Sequence, residues 1–266
     1  MTDSTFSAEW LALREMADSK ARNASLVRDL AAHFAQKEEL EVLDLGAGSG
    51  ANLRCLAPQL TARQHWRLTD NDPELLARAV GRPLAGVDVE TLCCNLARDL
   101  DGLDMAAVDL VTASALMDLV SADWFDRLAA RCREAGAALF FLLTYDGAIN
   151  FVPTDDDDDL VRKLVNQHQG GDKGFGPALG PQAPAHMETT LRAQGYRVHR
   201  GRSDWRLDPD DAALQEALLT GYAAAALELA PDEERHLHTW LERRHAHLAA
   251  GRGHLTIGHA DLLALP

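Results

Sequence analysis

The stretch EVLDLGAGSGA, Glu41–Ala51, decides the fold of this chain. It opens with the apolar residues Val42, Leu43 and Leu45, a short run of the kind that forms a strand buried on both faces. Glycines then occupy every second position, 46, 48 and 50, and residues 52–60 carry leucines at helical spacing. The stretch therefore predicts a strand, a glycine turn and a helix, in which the free N–H groups of the helix face a bound ligand.

Two classes of cofactor bind at such a turn. Gly46, Gly48 and Ala51 satisfy the dinucleotide pattern G-x-G-x-x-G/A, which would make the chain an NAD-dependent oxidoreductase on a Rossmann fold. Asp44 and a third glycine, Gly50, extend the string to D-x-G-x-G-x-G, which resembles motif I of class I S-adenosylmethionine-dependent methyltransferases. The resemblance implies S-adenosylmethionine as the cofactor. It also implies that the cofactor site includes Asp44, Gly46, Ala47, Gly48 and Gly50.

The rest of the chain alternates short apolar runs with helical patterns, which is typical of a parallel sheet. We expect one α/β domain with a Rossmann-like, seven-stranded, mostly parallel sheet and helices on both faces. The later strands are predicted at Gln64–Thr69, Val87–Leu96, Ala107–Ala113, Ala137–Thr144, Tyr196–Leu207 and His254–Leu265. Residues 1–40 would form a helical cap, and the insertions 148–182 and 208–250 would lie on the side of the methyl acceptor.

Residues that follow the strands are further candidates for the cofactor site, because ligands bind at the carboxyl ends of parallel strands. Asp70, followed by Asn71, ends the second strand, and its two oxygens match the ribose diol. Asn95 takes the place of an acidic residue that the family commonly carries near adenine, and the Leu96 N–H would reach a ring nitrogen. Ser114 follows the fourth strand.

The N-terminal helical segment carries Arg14, Asp18 and Arg22 four residues apart, so they share one face. A solvated ladder of ion pairs is one interpretation of this spacing. The other is that the helix covers the cofactor and an arginine pairs with the methionine carboxylate. Arg22 is the first choice for that arginine because it is nearest the first strand, and Arg14 is the second.

Three residues are candidate general bases for catalysis: His168, Tyr145 and Asp118. His168 is preferred because its pKa is ordinarily near neutrality, although its helical spacing also allows a histidine packed in the core. Tyr145 is expected at the tip of the fifth strand, and Asp118 follows the fourth. The loop Gly170–Pro184, rich in glycine and proline but carrying Phe175 and Leu179, suits a substrate lid or pocket wall.

The five aspartates Asp155–Asp159 have two interpretations. Adjacent carboxylates favour the N-terminus of a helix, through its dipole. They do not converge on one ion without partners spaced along a loop, so no metal site is predicted.

Composition limits the partners of the chain. It has 266 residues, 41 of them acidic and 26 basic, with a net charge of −15, which argues against a non-specific grip on nucleic acid and against anionic membranes. The first twenty residues lack a signal peptide's apolar core, and the four cysteines lack metal-binding spacing, so we expect a cytoplasmic protein.

These observations predict a methyltransferase that acts on a small molecule by in-line transfer, as a monomer or homodimer. O-methylation is slightly favoured over N-methylation. The sequence SALMD after the fourth strand, in place of the N/D-P-P-Y/F string, disfavours a DNA or glutamine N-methyltransferase. Besides the oxidoreductase, a catalytically inactive methyltransferase-like binding protein is the remaining alternative.

Overall fold

A computed structural model describes residues 7–60 and 62–266, which form eight strands and ten α-helices. The strands are β1 Glu39–Leu45, β2 Arg63–Asp70, β3 Val87–Cys93, β4 Leu110–Ser114, β5 Ala138–Val152, β6 Arg197–Arg202, β7 Trp205–Leu207 and β8 His254–Leu265. The helices are α1 Ala8–Ala21, α2 Ala24–Phe34, α3 Ala51–Leu56, α4 Pro73–Val80, α5 Leu96–Asp99, α6 Ala122–Ala135, α7 Asp158–Gln169, α8 Ala183–Ala193, α9 Ala212–Leu229 and α10 Glu234–Ala249.

The strands form one sheet in the order β3-β2-β1-β4-β5-β8-β6, with β7 also paired to β8. Strands β1 to β5 pair in parallel, and β8 runs antiparallel to β5, β6 and β7. The late strand His254–Leu265 thus inserts between β5 and β6. The expectation of an α/β fold with a mostly parallel sheet is confirmed.

The prediction of seven strands is wrong by one in the described part of the chain. The expected sixth strand, Tyr196–Leu207, is divided into β6 and β7. At the break, the Asp204 carboxylate accepts a hydrogen bond from the His259 N–H at 3.3 Å, and the Ser203 N–H donates to the His259 carbonyl at 2.9 Å. A side-chain oxygen therefore replaces a backbone carbonyl in the pairing with β8, which interrupts the strand.

The fifth strand is also longer than expected. The predicted strand stops at Thr144, whereas β5 continues to Val152 and pairs with β8 along its length. Its register shifts between Phe141 and Thr144 and again between Tyr145 and Ile149. Tyr145 therefore lies inside a strand rather than at its tip, and the insertion predicted from residue 148 begins as β5.

Three hydrophobic clusters hold these elements together. Helices α6 and α8 pack on one face of the sheet, and α2, α3 and α4 pack on the other. The third cluster joins the extended ends of β5 and β8 to α1, α7, α9 and α10. The two insertions therefore share a core with the N-terminal helix, at the end of the sheet where the parallel strands terminate.

No helix in residues 7–60 and 62–266 is long and apolar enough to cross a membrane.

Candidate functional site

A cavity of about 430 Å³ opens where β1, β2 and β4 end. Its volume lies within the range of small-molecule sites, ~300–1,000 Å³, and it occupies the edge of the sheet where open parallel sheets bind ligands. Its lining comprises Leu11, Arg14, Asp18, 46–49, 51–52, Asp70, Asn71, Leu75, 94–97, 114–116, Leu119 and 172–175.

The glycine turn forms one wall and depends on left-handed backbone. The φ angles of Gly46, Gly48 and Gly50 are 63°, 52° and 80°, values that favour glycine. A Cβ atom on Gly50 would lie 2.9 Å from the Cβ of Ala79 on α4. Gly46 and Gly48 line the cavity, while Gly50 allows the turn to pack against α4 from behind.

A buried hydrogen-bond network centred on Asn52 supports the turn. Asn52 Nδ2 donates to Asp44 Oδ1 at 2.9 Å and to Thr112 Oγ1 at 3.1 Å. Arg22 Nη1 donates to Asn52 Oδ1 at 2.7 Å. Asp44 is fully buried, which raises its pKa to about 7. Asn52 lines the cavity, whereas Asp44 and Arg22 do not. These two residues therefore position Asn52 rather than contact the cavity themselves.

Asp70 connects β2 to the glycine turn. Its Oδ2 accepts a hydrogen bond from the Gly48 N–H at 2.8 Å, and its Oδ1 accepts one from the Asp72 N–H at 3.0 Å. Each carboxylate oxygen has a second lone pair, and Asp70 lines the cavity together with Asn71. Asp72 caps α4 through the Glu74 N–H at 2.8 Å, so the cap and the cavity carboxylate are different residues.

Asn95 and Leu96 lie at the cavity wall that follows β3. Asn95 is the N-cap of α5, where its Oδ1 accepts a hydrogen bond from the Ala97 N–H at 3.0 Å. The oxygen predicted to face adenine thus has one backbone partner already, and its second lone pair is the one available for a ligand. Ser114, at the end of β4, also lines the cavity.

Helix α1 contributes Arg14 and Asp18 to the lining. Arg14 Nε and Nη2 donate to the two Asp18 oxygens at 2.9 and 3.1 Å, and its guanidinium lies 4.9 Å from the centre of the Trp205 ring. Trp205 Nε1 also donates to Asp18, at 3.0 Å. The pair is largely buried, with side chains 12% and 11% exposed, so the solvated-ladder interpretation is wrong.

Of the two arginines predicted for the cofactor, Arg14 lines the cavity and Arg22 does not. Helix α1 ends at Ala21, and Arg22 is its C-cap, where the chain leaves the helix. Arg22 donates to Asn52, whereas Arg14, about two helical turns earlier, lies at the cavity.

The loop after α7 supplies residues 172–175 of the lining. Phe175 packs edge-on against Trp124, with ring centres 5.4 Å apart, and Trp124 Nε1 donates to the Leu96 carbonyl at 2.7 Å. The Leu179 N–H donates to the Val120 carbonyl at 2.8 Å. These contacts fix the loop to α6 and to the segment before it, so the segment predicted as a pocket wall does line the cavity.

His168 lies behind that loop and is not part of the cavity lining. Its Nδ1 is 3.3 Å from Lys173 Nζ, and its Nε2 is 3.1 Å from Glu228 Oε2. An ammonium group can only donate, so Nδ1 carries the lone pair and Nε2 carries the proton that faces Glu228. The ring is 27% exposed, which contradicts the core position, and both nitrogens are engaged, which leaves none for a substrate.

Tyr145 and Asp118 are buried and likewise absent from the lining. The Tyr145 hydroxyl donates to Asn166 Oδ1 at 2.6 Å, and burial raises its pKa. Asp118 Oδ1 finds no hydrogen-bond partner among the described residues, and burial raises the pKa of this carboxyl to about 6. The three predicted bases therefore do not converge on the cavity.

Sequence reasoning missed several residues that build the site. Asn52 directly follows the glycine motif, and its position at the start of α3 was a usable signal. Lys173 lies in the loop Gly170–Pro184, but nothing in the spacing placed its side chain at the cavity. Trp205 and His259 meet with ring centres 5.1 Å apart, a contact that arises only from the pairing of β7 with β8.

The acidic run Asp155–Asp159 faces arginines of α10. Arg243 donates to Asp155 at 2.5 and 2.7 Å and to Asp157 at 2.8 Å, and Arg244 pairs with Asp158. Helix α7 begins at Asp158, as expected for acidic residues at a helix N-terminus. The acidic run therefore attaches the start of α7 to α10 through ion pairs, and we call it a joint in this sense.

Comparison with known proteins connects this geometry to a family. Residues 42–136, which contain the glycine turn, β2, β3 and β4, match the family model for a methyltransferase domain. No curated protein sequence matches the chain.

A solved structure shares the fold across most of the chain, and another is similar to it at a lower score. A protein assigned as a type II methyltransferase from Anaeromyxobacter dehalogenans is 19% identical, with a TM-score of 0.51, over 92% of this chain and 96% of that one. A methyltransferase from Thiobacillus denitrificans, solved with S-adenosyl-L-homocysteine, is 16% identical, with a TM-score of 0.49, over 98% of this chain and 99% of that one. At such identities the likeness concerns the fold.

The family match covers the glycine turn and the strands β2 and β4, which build much of the cavity. Residues 42–136 therefore match a methyltransferase domain, and the resemblance of the glycine motif to class I S-adenosylmethionine-dependent methyltransferases is confirmed.

Proposed function

We propose that this chain binds S-adenosylmethionine in the cavity at the ends of β1, β2 and β4 and transfers its methyl group to a small molecule. The observation that carries this proposal is the meeting of the glycine turn and the Asp70 carboxylate at one cavity wall, joined by the Gly48–Asp70 hydrogen bond. The glycine turn is the stretch on which the family resemblance rests.

The residues of the lining fit the parts of that cofactor. Asp70 retains acceptor capacity for the ribose hydroxyls, and Asn95 and Leu96 form the wall suited to adenine. Arg14 lies on α1 beside the glycine turn, since a Cβ on Gly48 would be 3.2 Å from Leu11 Cδ1. Arg14 is therefore the arginine placed to attract the methionine carboxylate.

When bound, S-adenosylmethionine supplies a methyl group already activated by its sulfonium. What the chain must add is position, because holding two reactants in line removes most of the entropic cost of their encounter. Walls from α1, from residues 114–116 with Leu119 and from the loop at 172–175 surround the remaining space. A surface of net charge −15 favours a small acceptor over nucleic acid.

We favour an acceptor hydroxyl slightly over an amine. Of the three predicted bases, only Asp118 has a side-chain oxygen without a partner within residues 7–60 and 62–266, but Asp118 does not line the cavity, so we infer no contact between it and a bound acceptor. His168 has no free nitrogen, and the Tyr145 hydroxyl already donates to Asn166.

Transfer of isotope-labelled methyl groups tests this function. The chain is incubated with methyl-labelled S-adenosylmethionine and a small-molecule extract, and products are separated by mass. The expected result is label in a product of low molecular mass, formed in smaller amount by the Asp70→Ala variant at a limiting concentration of the cofactor. A parallel incubation uses an unfractionated lysate. Label in its protein or RNA, with none in small molecules, would contradict a small-molecule acceptor.

A further inference from the structure

The lining of the cavity includes two basic residues, Arg14 and Lys173, and in the described residues only Arg14 is paired with a carboxylate. Arg14 forms its two-pronged ion pair with Asp18 and stacks on Trp205. Lys173, on the loop after α7, is partly buried, and no ion pair within 4.0 Å joins it to any carboxylate in the described residues. A partly buried ammonium without a counter-ion is costly unless a ligand supplies the charge.

The carboxylates nearest in the chain and in the lining are committed elsewhere. Asp172 Oδ1 accepts hydrogen bonds from the Gly174 and Gly176 N–H groups at 2.7 and 3.0 Å. Asp70 accepts from the backbone of Gly48 and Asp72. Neither carboxylate is paired with Lys173. Asp172 stabilises the turn that carries Lys173, and the ammonium group remains available for another partner.

The ammonium is nevertheless held in position. Lys173 Nζ donates to His168 Nδ1 at 3.3 Å, and His168 in turn donates from Nε2 to Glu228 on α9 at 3.1 Å. This chain of contacts uses one of the three N–H donors of the ammonium and leaves two. Glu228 acts on Lys173 only at a distance, and desolvation lowers the pKa of the lysine despite it.

Lys173 belongs to a different wall from the one suited to the methionine carboxylate. Its loop is anchored to α6 and the segment before it, through Phe175 on Trp124 and the Leu179–Val120 hydrogen bond. The glycine turn is covered by α1, which brings Arg14 with it. The two cations thus serve two wall regions, one beside the cofactor's glycine turn and one on the inserted loop.

We propose that Lys173 binds an anionic group, a carboxylate or a phosphate, of the methyl acceptor, with His168 and Glu228 as its positioning residues. The inference rests on the proposed function and gives it a substrate class, a small anionic molecule. It also assigns His168 a role that its contacts allow, in place of the general base predicted from sequence.

The test uses the full chain saturated with S-adenosylhomocysteine. Benzoate and phenyl phosphate serve as anionic probes and benzamide as a neutral match, with binding followed by ligand-observed NMR. We expect at least one of the two anions to bind more tightly than benzamide. The relative affinities of benzoate and phenyl phosphate then distinguish a carboxylate site from a phosphate site. Lys173→Gln should weaken anion binding by at least about tenfold, as for a lost charge-assisted hydrogen bond.

Three controls separate the outcomes. Lys163→Gln alters an exposed lysine of α7 and should bind as the unmodified chain does, and Lys173→Arg should keep most of the anion affinity. Affinity for S-adenosylhomocysteine should change by no more than about twofold in Lys173→Gln. His168→Ala should weaken anion binding less than Lys173→Gln does.

Equal binding of benzoate, phenyl phosphate and benzamide, or anion binding unaffected by Lys173→Gln, would overturn the proposal. Loss of S-adenosylhomocysteine affinity in Lys173→Gln would assign the lysine to the cofactor instead, which also overturns it. If the unmodified chain does not bind S-adenosylhomocysteine, the proposed function fails. The same anion titration on the ligand-free chain then decides the present proposal by the same criterion.

Discussion

Asp70 combines two tasks in one side chain, since it ties the glycine turn to β2 and faces the cavity. Removing it takes away the proposed ribose acceptor and the partner of the Gly48 N–H together. Asp70→Ala should therefore weaken binding of S-adenosylmethionine by about 1–3 kcal/mol, as for the loss of a hydrogen bond to a charged group.

Calorimetric titration measures this loss. Asp232→Ala, at an exposed aspartate in the segment before α10, is the matched control and should leave the affinity unchanged. An Asp70→Ala variant that binds the cofactor as tightly as the unmodified chain would remove Asp70 from the site.

Asp118 is expected to make stability depend on pH. Its pKa rises from 3.8 to about 6 on folding, because burial disfavours the carboxylate. Its contribution is therefore fully present below pH 3.8 and is lost as pH rises through about 6. Asparagine does not titrate. The free energy of unfolding of Asp118→Asn, relative to that of the unmodified chain, should therefore increase by about 3 kcal/mol as the pH is raised from below 3.8 to above about 6.

Urea unfolding of both chains across the acidic range measures this difference. Other groups titrate in the same interval, and the comparison removes them because both chains share them. A difference in unfolding free energy that stays constant with pH would show that the Asp118 carboxyl is not shifted.

At this scale the sequence predicted residues next to the glycine motif and failed for residues joined by long-range contacts. Asp70 was identified because it ends a strand beside the turn. Arg22 was preferred over Arg14 by its distance along the chain, but the C-terminus of α1 directs it away. His168 was the preferred base, with a core position as the alternative, because helical spacing does not reveal Glu228 on α9 or Lys173 on the following loop.

Among the elements, α7 and α10 are joined by the acidic run and two arginines. Arg243 donates two hydrogen bonds to Asp155 and lowers the pKa of this carboxyl. The pair therefore stabilises the folded chain at pH values above the pKa that Asp155 has when unfolded. This stabilisation is lost in acid, as the pH falls through the lowered pKa of the folded chain. Arg243→Ala should destabilise the chain by about 1 kcal/mol, the upper range for a partly exposed pair with good geometry.

The measurement is urea unfolding at neutral pH, repeated in acid. Arg235→Ala, at an exposed arginine of the same helix, controls for the loss of one positive charge. If both variants lose the same stability at neutral pH, the acidic run does not act as a joint.

Elements with a clear period were predictable, and those shaped by their neighbours were not. The strand β1 and its glycine turn follow from local pattern alone. The length of β5 does not, because residues beyond Thr144 become strand only through pairing with β8, more than a hundred positions later. The division of β6 from β7 depends in the same way on Asp204 reaching the His259 N–H.

For the whole molecule, alternation of strands and helices with one late strand was enough to predict the sheet. The third hydrophobic cluster was not foreseen, although it binds the N-terminal helix and both insertions to the end of the sheet. That cluster brings Arg14 and the loop of Lys173 to the cavity from distant parts of the chain. The glycine-turn wall of the cavity thus follows from sequence, and the walls from α1 and from residues 172–175 follow from packing.

Binding of the cofactor tests the central claim most directly. The purified chain is titrated calorimetrically with S-adenosylmethionine, S-adenosylhomocysteine and NAD under the same conditions. Micromolar binding of the first two, with no heat from NAD, is the result that the cavity and its glycine turn predict. Binding of NAD alone would contradict the account and make the turn a dinucleotide site.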